Sequence, residues 1–427
     1  MPEECVTKEL YKFFKKQNII PDYQHGFMNK KSTVSNLLEF FDDVSSAIDN
    51  KRCIDGVSID LYKAFDSVNH KLLLAKLESK GISGSCLKWL EDFLYERKAA
   101  VKIGQDISSD MSIGLGLPQG SPISPIIFNF FISDLVLSEH IVSKFYADDL
   151  KMYIEYNYIQ KSELQNRLDK ALIDLDIWCS KNGLNISVNK CGVFYFGISN
   201  DKRNYLLKDN PIPIIQGNFR DLGILISPDL KWNDQVQRIS QAALRRWFNF
   251  MRVIRSKDFP ALVRIFKAYI RPLLEYGSVV FNSYSPIFAN RLEKVQRKIT
   301  RHIFIRCNLS TTQFPPNYLE RLKKLNLETL KSRRLKADLI CMHKIINGQV
   351  LINENNKPKA IGNRDKYSLR NKYSRAFIPY SRTNTRINSF FIRVPKMMHK
   401  LPPDLLKTTD LGKFVASLNR LNLDSLL

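Results

Sequence analysis

The chain has 427 residues, of which 44% are hydrophobic and 25% charged, and these proportions exclude a disordered, collagenous or fibrous protein. The basic excess lies in one half: residues 1–200 contain 23 basic and 26 acidic residues (net −3), and residues 201–427 contain 43 and 16 (net +27). The second half therefore predicts a polyanionic partner, which charge alone leaves open as a nucleic acid or an anionic membrane surface.

The first predicted elements are a helix and a strand. Apolar residues at helical spacing predict an amphipathic helix over 35–50, with Ser35 as its N-cap. Residues 57–62 then alternate apolar and polar side chains, which is typical of a half-buried strand and places Asp60 on its open face. Two further helices are predicted over 67–79 and 83–95.

A glycine-rich loop, GLGLPQG, follows at residues 114–120. It is neither a Walker loop nor a dinucleotide fingerprint, because no Lys-Ser/Thr pair follows it and its glycine spacing differs. Ser121 is expected to cap the next helix and Pro122 to open it, so that free N–H groups face an anion or a base edge. A simple helix-capping turn is the alternative.

The remaining elements of the first half complete an α+β pattern. KFYADDLKMYIEY predicts a β-hairpin with Asp148 and Asp149 at its bend. A helix over 160–182 leads into the strand CGVFYFG. The predicted order of elements is strand, helices, hairpin, helix and strand. This is the split βαβ order of a ferredoxin-like antiparallel sheet with helices on one face. Arginine-rich helical patterns dominate the second half, which is predicted to be mainly helical.

Three aspartates are the strongest candidates for chemistry. If the hairpin pairs beside the strand of Asp60, its bend brings Asp148 and Asp149 near that carboxylate. Carboxylates a few ångströms apart raise one another's pKa, so such a cluster is stable mainly when a divalent cation neutralises it. Oxygen ligands favour Mg²⁺ or Mn²⁺, and two such ions support in-line phosphoryl displacement. For an isolated Asp-Asp pair, a solvated turn is the better interpretation.

The motifs around these aspartates follow the order of a known family. SIDLYKAFDSV, GLPQGSPISPIIFN, FYADD, GLNISVNKCGVFYFG and FRDLGI together resemble the palm of reverse transcriptases from non-long-terminal-repeat retrotransposons of the jockey-like kind. QHGFMNKKST before them and YIRPLLEYGSVVFNSYSP after them resemble the same elements, so the likeness spans roughly residues 24–401. Five motifs in one order make a chance match implausible.

The resemblance implies catalytic roles. Asp60, Asp148 and Asp149 are expected to hold two Mg²⁺ or Mn²⁺ ions, with Asp149 the weakest candidate as a direct ligand. Phe65 is expected to be the aromatic gate that excludes a ribose 2′-OH by shape and so favours deoxynucleotides; core packing is its alternative. Lys190 is expected beside the pyrophosphate leaving group as a cation or proton donor, with a solvated lysine as its alternative.

The resemblance also implies substrate and nucleic-acid contacts. Gln119 and Gly120 are expected against the nascent base pair and the template strand. Lys30 and Lys31 are expected to supply part of the basic contact to the incoming triphosphate. The turn that contains Phe219, Leu222 and Gly223 is expected to grip the primer end. An ordinary hairpin is the alternative. Arg238, Arg245 and Arg246 share a predicted helix and are expected to contact a nucleic-acid backbone. A solvated helix face is the alternative.

The segment Lys366–Val394 combines seven basic residues with aromatic ones and contains no acid. This composition predicts phosphate contacts together with base stacking, and an apolar strand pair with solvated lysines is the alternative. The aromatic residues are Tyr367, Tyr373, Phe377, Tyr380, Phe390 and Phe391.

Seven scattered cysteines without a C-x-x-C pair predict a reducing compartment and no zinc site. No apolar signal region or membrane-spanning run is present in the sequence. An intracellular protein is expected, in the nucleus or the cytoplasm, with KSRRLK at 331–336 as a hint of nuclear import.

These patterns predict an α+β fold with a right-hand polymerase palm, partial fingers, a helical thumb and a basic C-terminal region. The expected boundaries are 1–55 for residual fingers, 56–232 for the palm, 233–310 for the thumb and 311–427 for a nucleic-acid-binding region. The expected reaction is RNA-directed DNA synthesis, in which a DNA primer 3′-OH attacks the α-phosphorus of a dNTP on an RNA template and pyrophosphate leaves. No motif indicates an oligomeric state.

Two other functions stay open. Met1 falls where the resembling proteins are already part-way through their fingers, so the chain is expected to be N-terminally truncated. A truncated remnant that only binds RNA or DNA needs no metal ion, and its binding should weaken steeply with salt. A two-metal nuclease shares the carboxylates but has no use for Phe65 or for the primer-grip turn.

Overall fold

The computed structural model describes residues 2–95, 97–138, 140–157, 159–198, 200–282, 286–309, 315–357, 378–421 and 423. The chain divides into two compact units. The first contains residues 1–36 and 51–216, and the second contains residues 37–50 and 217–427.

The first unit is built around a five-stranded antiparallel sheet. The strands of this unit are β1 Cys53–Tyr62, β2 Arg97–Ala99, β3 Lys102–Ile103, β4 Asp106–Ile107, β5 Met111–Ile113, β6 Val142–Tyr146, β7 Asp149–Tyr156, β8 Asn185–Ile186, β9 Gly192–Phe196, β10 Leu206–Leu207 and β11 Asn210–Pro211. In the main sheet, β1 pairs with β7 on one side and with β8 and β9 on the other, and β7 pairs with β6. The remaining strands form two-stranded ribbons, β2 with β5, β3 with β4 and β10 with β11.

Among its described residues, six helices belong wholly or partly to this unit. They are α1 Pro2–Lys16, α2 Thr33–Asp49, α3 His70–Ser79, α4 Gly84–Leu94, α5 Ser124–Phe131 and α6 Lys161–Lys181, with 3₁₀ turns at Ala64–Ser67 and Val188–Lys190. The Asn69 side chain caps α3 by accepting the Leu72 N–H at 3.1 Å. Leu168, Leu172 and Leu175 recur at helical spacing on α6, and this buried face packs on β7 and β8.

The alternation predicted for β1 is confirmed. Val57, Ile59 and Leu61 are buried, Asp60 is half-buried and Tyr62 is exposed. Antiparallel pairing places Asp60 directly opposite Asp149 of β7. The strand therefore presents the Asp60 carboxylate at the end of the sheet where the β6–β7 hairpin turns.

The second unit is mainly helical, as predicted. It contains the hairpin β12 Phe219–Asp221 and β13 Ile224–Ile226, most of α2, and the helices α7 Asn233–Val253, α8 Phe259–Ile265, α9 Arg271–Glu275, α10 Ser278–Phe281, α11 Pro286–Arg306, α12 Tyr318–Leu325, α13 Leu330–Ile346, α14 Asn384–Ile387, α15 Phe390–Met398, α16 Pro403–Leu406 and α17 Leu411–Arg420. A π-helical turn, Phe266–Ile270, joins α8 to α9, and Glu354–Asn356 form a 3₁₀ turn. Across the described ranges, we find no helix with the length and apolar character that a membrane span needs.

Two predicted helix starts are wrong. The helix α2 begins at Thr33, so Ser35 lies inside it, and the Ser35 hydroxyl accepts the Ser32 N–H at 2.8 Å. The helix after the glycine-rich loop begins at Ser124. Ser121 instead closes a turn before it, because its hydroxyl binds the Glu3 carboxylate at 2.7 Å and accepts the Ile123 N–H at 3.3 Å.

The predicted nucleic-acid surface at Lys366–Val394 is wrong in its last part. Phe390 and Phe391 belong to α15 and are buried, because helical spacing turns them into the core. Arg393 is also buried, and its guanidinium pairs with Asp338 at 3.0 Å. Tyr380 is exposed, and Tyr367, Tyr373 and Phe377 lie outside the described residues.

The basic run KSRRLK does not form an exposed linear signal. It lies within α13, where the Arg334 and Leu335 side chains are buried. The Lys336 ammonium is paired with the Glu328 carboxylate. The hint of nuclear import that this run provided is therefore not supported by its surroundings.

Candidate active site

The site begins at a tight turn between β6 and β7. Only Ala147 and Asp148 separate the paired residues Tyr146 and Asp149. Ala147 has φ 58°, in the left-handed region that non-glycine residues rarely adopt. Glycine is the usual residue at such a position in a two-residue hairpin loop, so an alanine there needs support from the surrounding structure.

Gln24 supplies that support through three hydrogen bonds. Its Oε1 accepts the N–H groups of Ala147 at 3.0 Å and Gly26 at 2.7 Å, and its Nε2 donates to the Ala147 carbonyl at 3.2 Å. The Gln24 side chain is 2% exposed. A Cβ on Gly26 would stand 2.2 Å from the Ala147 nitrogen, so only glycine permits this approach.

Buried amides extend the support to the neighbouring strand and helices. Asn36, in the first turn of α2, donates to the Phe145 carbonyl at 3.0 Å and accepts from the Lys151 ammonium at 2.8 Å. Asn129 of α5 donates to the Gly26 carbonyl at 2.7 Å. Local sequence patterns do not predict these supporting roles, although the QHGF segment that contains Gln24 is itself a signal.

Asp60 and Asp148 interact electrostatically. Burial raises the pKa of Asp148, and the charge of Asp60 raises it further against a hydrogen bond from its own backbone. The Lys190 ammonium lies 3.7 Å from the Asp60 carboxylate, and the Asp60 N–H donates to the Cys191 Sγ at 3.5 Å. The structure thus brings Asp60, Asp148 and Lys190 together.

Asp149 lies opposite Asp60 in the sheet, and its side chain is exposed. Within the described ranges, no three His, Cys, Asp or Glu side chains are close enough together to hold a metal ion. The carboxylate pair Asp60 and Asp148 still fits a divalent cation, because such an ion binds oxygen ligands and would neutralise the negative charge that raises the pKa of Asp148.

Phe65 lies in the 3₁₀ turn that follows β1. Its ring stacks on Phe128 with centroids 4.2 Å apart and planes at 18°, and it meets Phe27 edge-on at 6.4 Å. The Phe65 side chain is half-buried. Its ring is therefore fixed by packing on one side, which agrees with the packing alternative and leaves the gate role as a prediction.

The glycine-rich loop packs on the same turn. A Cβ on Gly116, which has φ 82°, would lie 2.7 Å from the Asp66 Cα. Gln119 Nε2 donates to the Asp66 carboxylate at 2.9 Å, and Gly120 has φ 89° with open space where a Cβ would stand. The structure therefore places Gln119 beside the Phe65 turn.

The two candidate lysines for the triphosphate differ. Lys30 is exposed, with φ 63°. The Lys31 side chain is only 8% exposed; its ammonium donates to the Asp22 carbonyl and lies 3.7 Å from the Asp22 carboxylate. Lys31 thus holds the chain near Asp22, and Lys30 alone presents a charge to solvent.

The predicted primer-grip turn lies in the second unit. Phe219 is buried, edge-on to Phe40 at 6.3 Å. Leu222 and Gly223 both have positive φ, and the Leu222 carbonyl accepts the Tyr276 hydroxyl at 2.8 Å. These contacts give the turn a fixed shape.

The three arginines predicted to track a backbone also differ. Arg238 donates to the Gly223 carbonyl at 2.5 Å and to Gln235 at 2.9 Å, so it supports the turn. Burial lowers the pKa of Arg238, and the charge of Arg220 lowers it further. Arg245 and Arg246 are exposed on α7.

Comparison with known proteins gives one family. Residues 3–226 match the family model described as reverse transcriptase (RNA-dependent DNA polymerase). The chain is 26% identical over 297 residues to the RNA-directed DNA polymerase from mobile element jockey of Drosophila melanogaster, a match that covers 66% of this chain and 32% of that protein. It is 23% identical over 320 residues to the probable RNA-directed DNA polymerase from transposon BS of the same species, covering 70% and 34%.

The chain spans about a third of the length of these relatives. Among solved structures, telomerase from Candida albicans, in complex with a fragment of telomeric RNA, aligns with a TM-score of 0.45 and 13% identity. That alignment covers 81% of this chain and 56% of the telomerase chain.

Proposed function

Because this chain belongs to the reverse transcriptase family, we propose that it catalyses RNA-directed DNA synthesis with Asp60 and Asp148 at the catalytic centre. The observation that supports this proposal is the β6–β7 turn, which Gln24 holds beside β1 so that Asp148 interacts with Asp60. The division into fingers, palm, thumb and a basic C-terminal region, at the boundaries given above, stays a prediction.

The reaction joins a DNA primer to a deoxynucleotide on an RNA template. The primer 3′ oxygen forms a bond to the α-phosphorus, and the bond from that phosphorus to the pyrophosphate oxygen breaks. Asp60 and Asp148 would hold the two Mg²⁺ or Mn²⁺ ions, with Asp149 as an additional candidate ligand. When bound, such ions offset the charge of the triphosphate and stabilise the leaving oxygen.

The other residues of the site have roles that follow from their positions. The Lys190 ammonium, now beside Asp60, would carry the proton or positive charge that the leaving pyrophosphate needs. The Phe65 ring would exclude a 2′-OH, and Gln119 and Gly120 would line the nascent base pair. Of Lys30 and Lys31, Lys30 is the remaining candidate for binding the incoming triphosphate.

The test is primer extension on poly(rA)/oligo(dT) with dTTP and Mg²⁺. We expect Asp148→Ala to lose activity by about a thousandfold or more, since the loss of a metal-ligating carboxylate removes several kcal/mol of transition-state stabilisation. Asp92→Ala is the matched control, because Asp92 is an exposed carboxylate of α4. All variants must bind the template equally.

The outcomes separate polymerase from binding protein. Extension by the native chain and by Asp92→Ala, but not by Asp148→Ala, supports the proposal. Extension by Asp148→Ala at the native rate contradicts the assigned site. Tight template binding with no extension by any variant identifies a protein that only binds nucleic acid.

A further inference from the structure

A basic groove in the second unit is not part of the site described above. It has a volume of about 620 Å³ and lies between α11 and α12, with the short segment 315–317 at its edge. We call it the α11–α12 groove. Its charged lining residues are Arg297, Lys298, Arg301 and Arg321.

The charges of this groove are not balanced by acids. Arg297, Lys298 and Arg301 are exposed on one face of α11, and none of the four cations forms an ion pair with a described carboxylate. Burial lowers the pKa of Arg321, and the charges of Arg301 and Arg297 lower it further, against the opposing effect of Tyr318. Arg297 and Arg301 therefore repel the Arg321 guanidinium at close range.

Two acids on the helices of the groove have partners elsewhere. Glu293, also on α11, is buried and accepts the Tyr318 hydroxyl and the Leu330 N–H. Glu320 accepts from the Asn317 amide at 2.7 Å. The groove is therefore cationic without an internal counter-charge.

The groove is also held in shape. Arg321 is 8% exposed, and its guanidinium donates to the Pro316 carbonyl at 2.6 Å. The ring of Tyr318 lies 5.0 Å from the Arg297 guanidinium and 5.7 Å from that of Arg321. These contacts keep cations from two helices directed at one open space.

We propose that the α11–α12 groove binds consecutive phosphates of an RNA or DNA backbone. Arg297 and Arg301 are one helical turn apart, about 6 Å along α11, so they present separate charges along the groove. Arginine is suited to this because its planar guanidinium binds phosphate oxygens in pairs. The groove is open, so an extended nucleic-acid strand can lie along it. The inference deepens the proposed function and rests on it for the class of partner.

The test measures binding without catalysis. Fluorescence anisotropy with labelled poly(rA)/oligo(dT) compares the native chain, Arg297→Gln/Arg301→Gln, and a matched control, Lys323→Gln/Lys413→Gln. The control removes two exposed cations of the same unit that do not line the groove. Thermal melting establishes that both double variants fold.

We expect the groove variant to bind about tenfold more weakly near 0.1 M salt. Its log–log salt slope should be shallower by about 1.4–1.8, since each lost phosphate contact removes about 0.7–0.9 from the slope. Adding Lys298→Gln should extend both changes. The control should keep most of the native affinity and slope.

Two outcomes overturn the proposal. Equal affinity and slope for the groove variant and the control show that the groove contacts no phosphate. Retained nucleic-acid binding with loss of binding to poly-glutamate identifies a docking site for an acidic protein. Because binding is measured separately, the groove result stands or falls whether or not Asp148→Ala shows that the chain polymerises.

Discussion

Ala147 holds a backbone conformation that its own side chain disfavours. The left-handed region costs a non-glycine residue roughly 1–2 kcal/mol, and Ala147 lies there at φ 58°. Gln24 offsets this cost by binding both the N–H and the carbonyl of Ala147. The position of Asp148 therefore depends on a side chain more than a hundred residues earlier.

Replacing Gln24 by leucine should disturb the turn more than the core. Leucine has nearly the same size but leaves the Ala147 and Gly26 N–H groups unpaired, at about 1–3 kcal/mol each. We expect kcat for primer extension to fall by more than tenfold with a smaller change in KM for dTTP. Steady-state kinetics and thermal melting measure the two effects.

Two further variants separate positioning from folding. Gln24→Glu keeps the acceptor oxygen and should recover part of kcat. Gln17→Leu alters an exposed glutamine and should match the native chain. If Gln24→Leu loses stability while its kcat stays native, Gln24 has only a structural role.

Phe65 is the residue on which sugar selection is expected to depend. We expect Phe65→Ala to lower the preference for dTTP over UTP, because the smaller side chain leaves room for a 2′-OH. Phe65→Tyr keeps the ring that stacks on Phe128 and should keep the preference. Single-nucleotide incorporation with each substrate gives the ratio, and an unchanged ratio in Phe65→Ala would remove Phe65 from selection.

At the scale of elements, the end of α2 is joined to the start of α14. Asp49 accepts the backbone N–H groups of Thr383 at 2.7 Å and Arg382 at 2.9 Å, and the Thr383 hydroxyl at 2.8 Å. Burial alone would raise the pKa of Asp49, but these hydrogen bonds and Arg386 lower it overall. The ionised carboxylate therefore stabilises the second unit.

This junction should make stability depend on pH. A lowered folded-state pKa means that stabilisation is full above the unfolded pKa near 4 and is lost as pH falls through the folded value. Asp49→Asn should therefore melt at a lower temperature than the native chain at pH 7. The difference should shrink steadily between about pH 5 and pH 2. A difference in melting temperature that stayed constant over that pH range would exclude the Asp49 carboxylate as the cause of the pH dependence.

Helices and strands were predictable where their own pattern decides them. The alternation of β1 and the hairpin of β6 and β7 follow from local spacing, and both are present. The start of α5 was misplaced because Ser121-Pro122 and Ser124-Pro125 carry the same local signal, and a contact from Ser121 to Glu3 decides between them. The predicted exposure of Phe390 and Phe391 is wrong because interleaved basic residues make their helical spacing hard to recognise.

At the scale of the whole molecule, the charge division of the sequence differs from that of the fold. Residues 37–50 carry four carboxylates and no basic residue, yet they belong to the otherwise basic second unit. Asp42 pairs there with Arg386, and Glu39 accepts the Asn353 N–H at 2.8 Å. The field of the second unit is therefore less positive than a count by sequence halves indicates.

The candidate residues Asp60 and Asp148 could be proposed from the sequence, but the side chains that support the turn could not. Asp60 and Asp148 stand in motifs that can be read locally. The contacts of Gln24, Asn36 and Asn129 join residues more than a hundred positions apart, and no periodicity encodes them. The pairing of Lys31 with Asp22 could not be predicted from local sequence either, because it depends on how the loop folds.

The register between β1 and β7 has a genetic consequence. Side chains alternate between sheet faces with a period of two, so adding or removing one residue within β7 would move every later side chain of that strand to the opposite face. Met152 and Ile154 would exchange faces with Lys151 and Tyr153, so that a lysine would enter the apolar core. The loop Ala147–Asp148 also cannot be shortened without breaking a strand pair, because Tyr146 already pairs with Asp149. In this stretch of the coding sequence, a single-codon insertion or deletion is therefore more damaging than most codon changes.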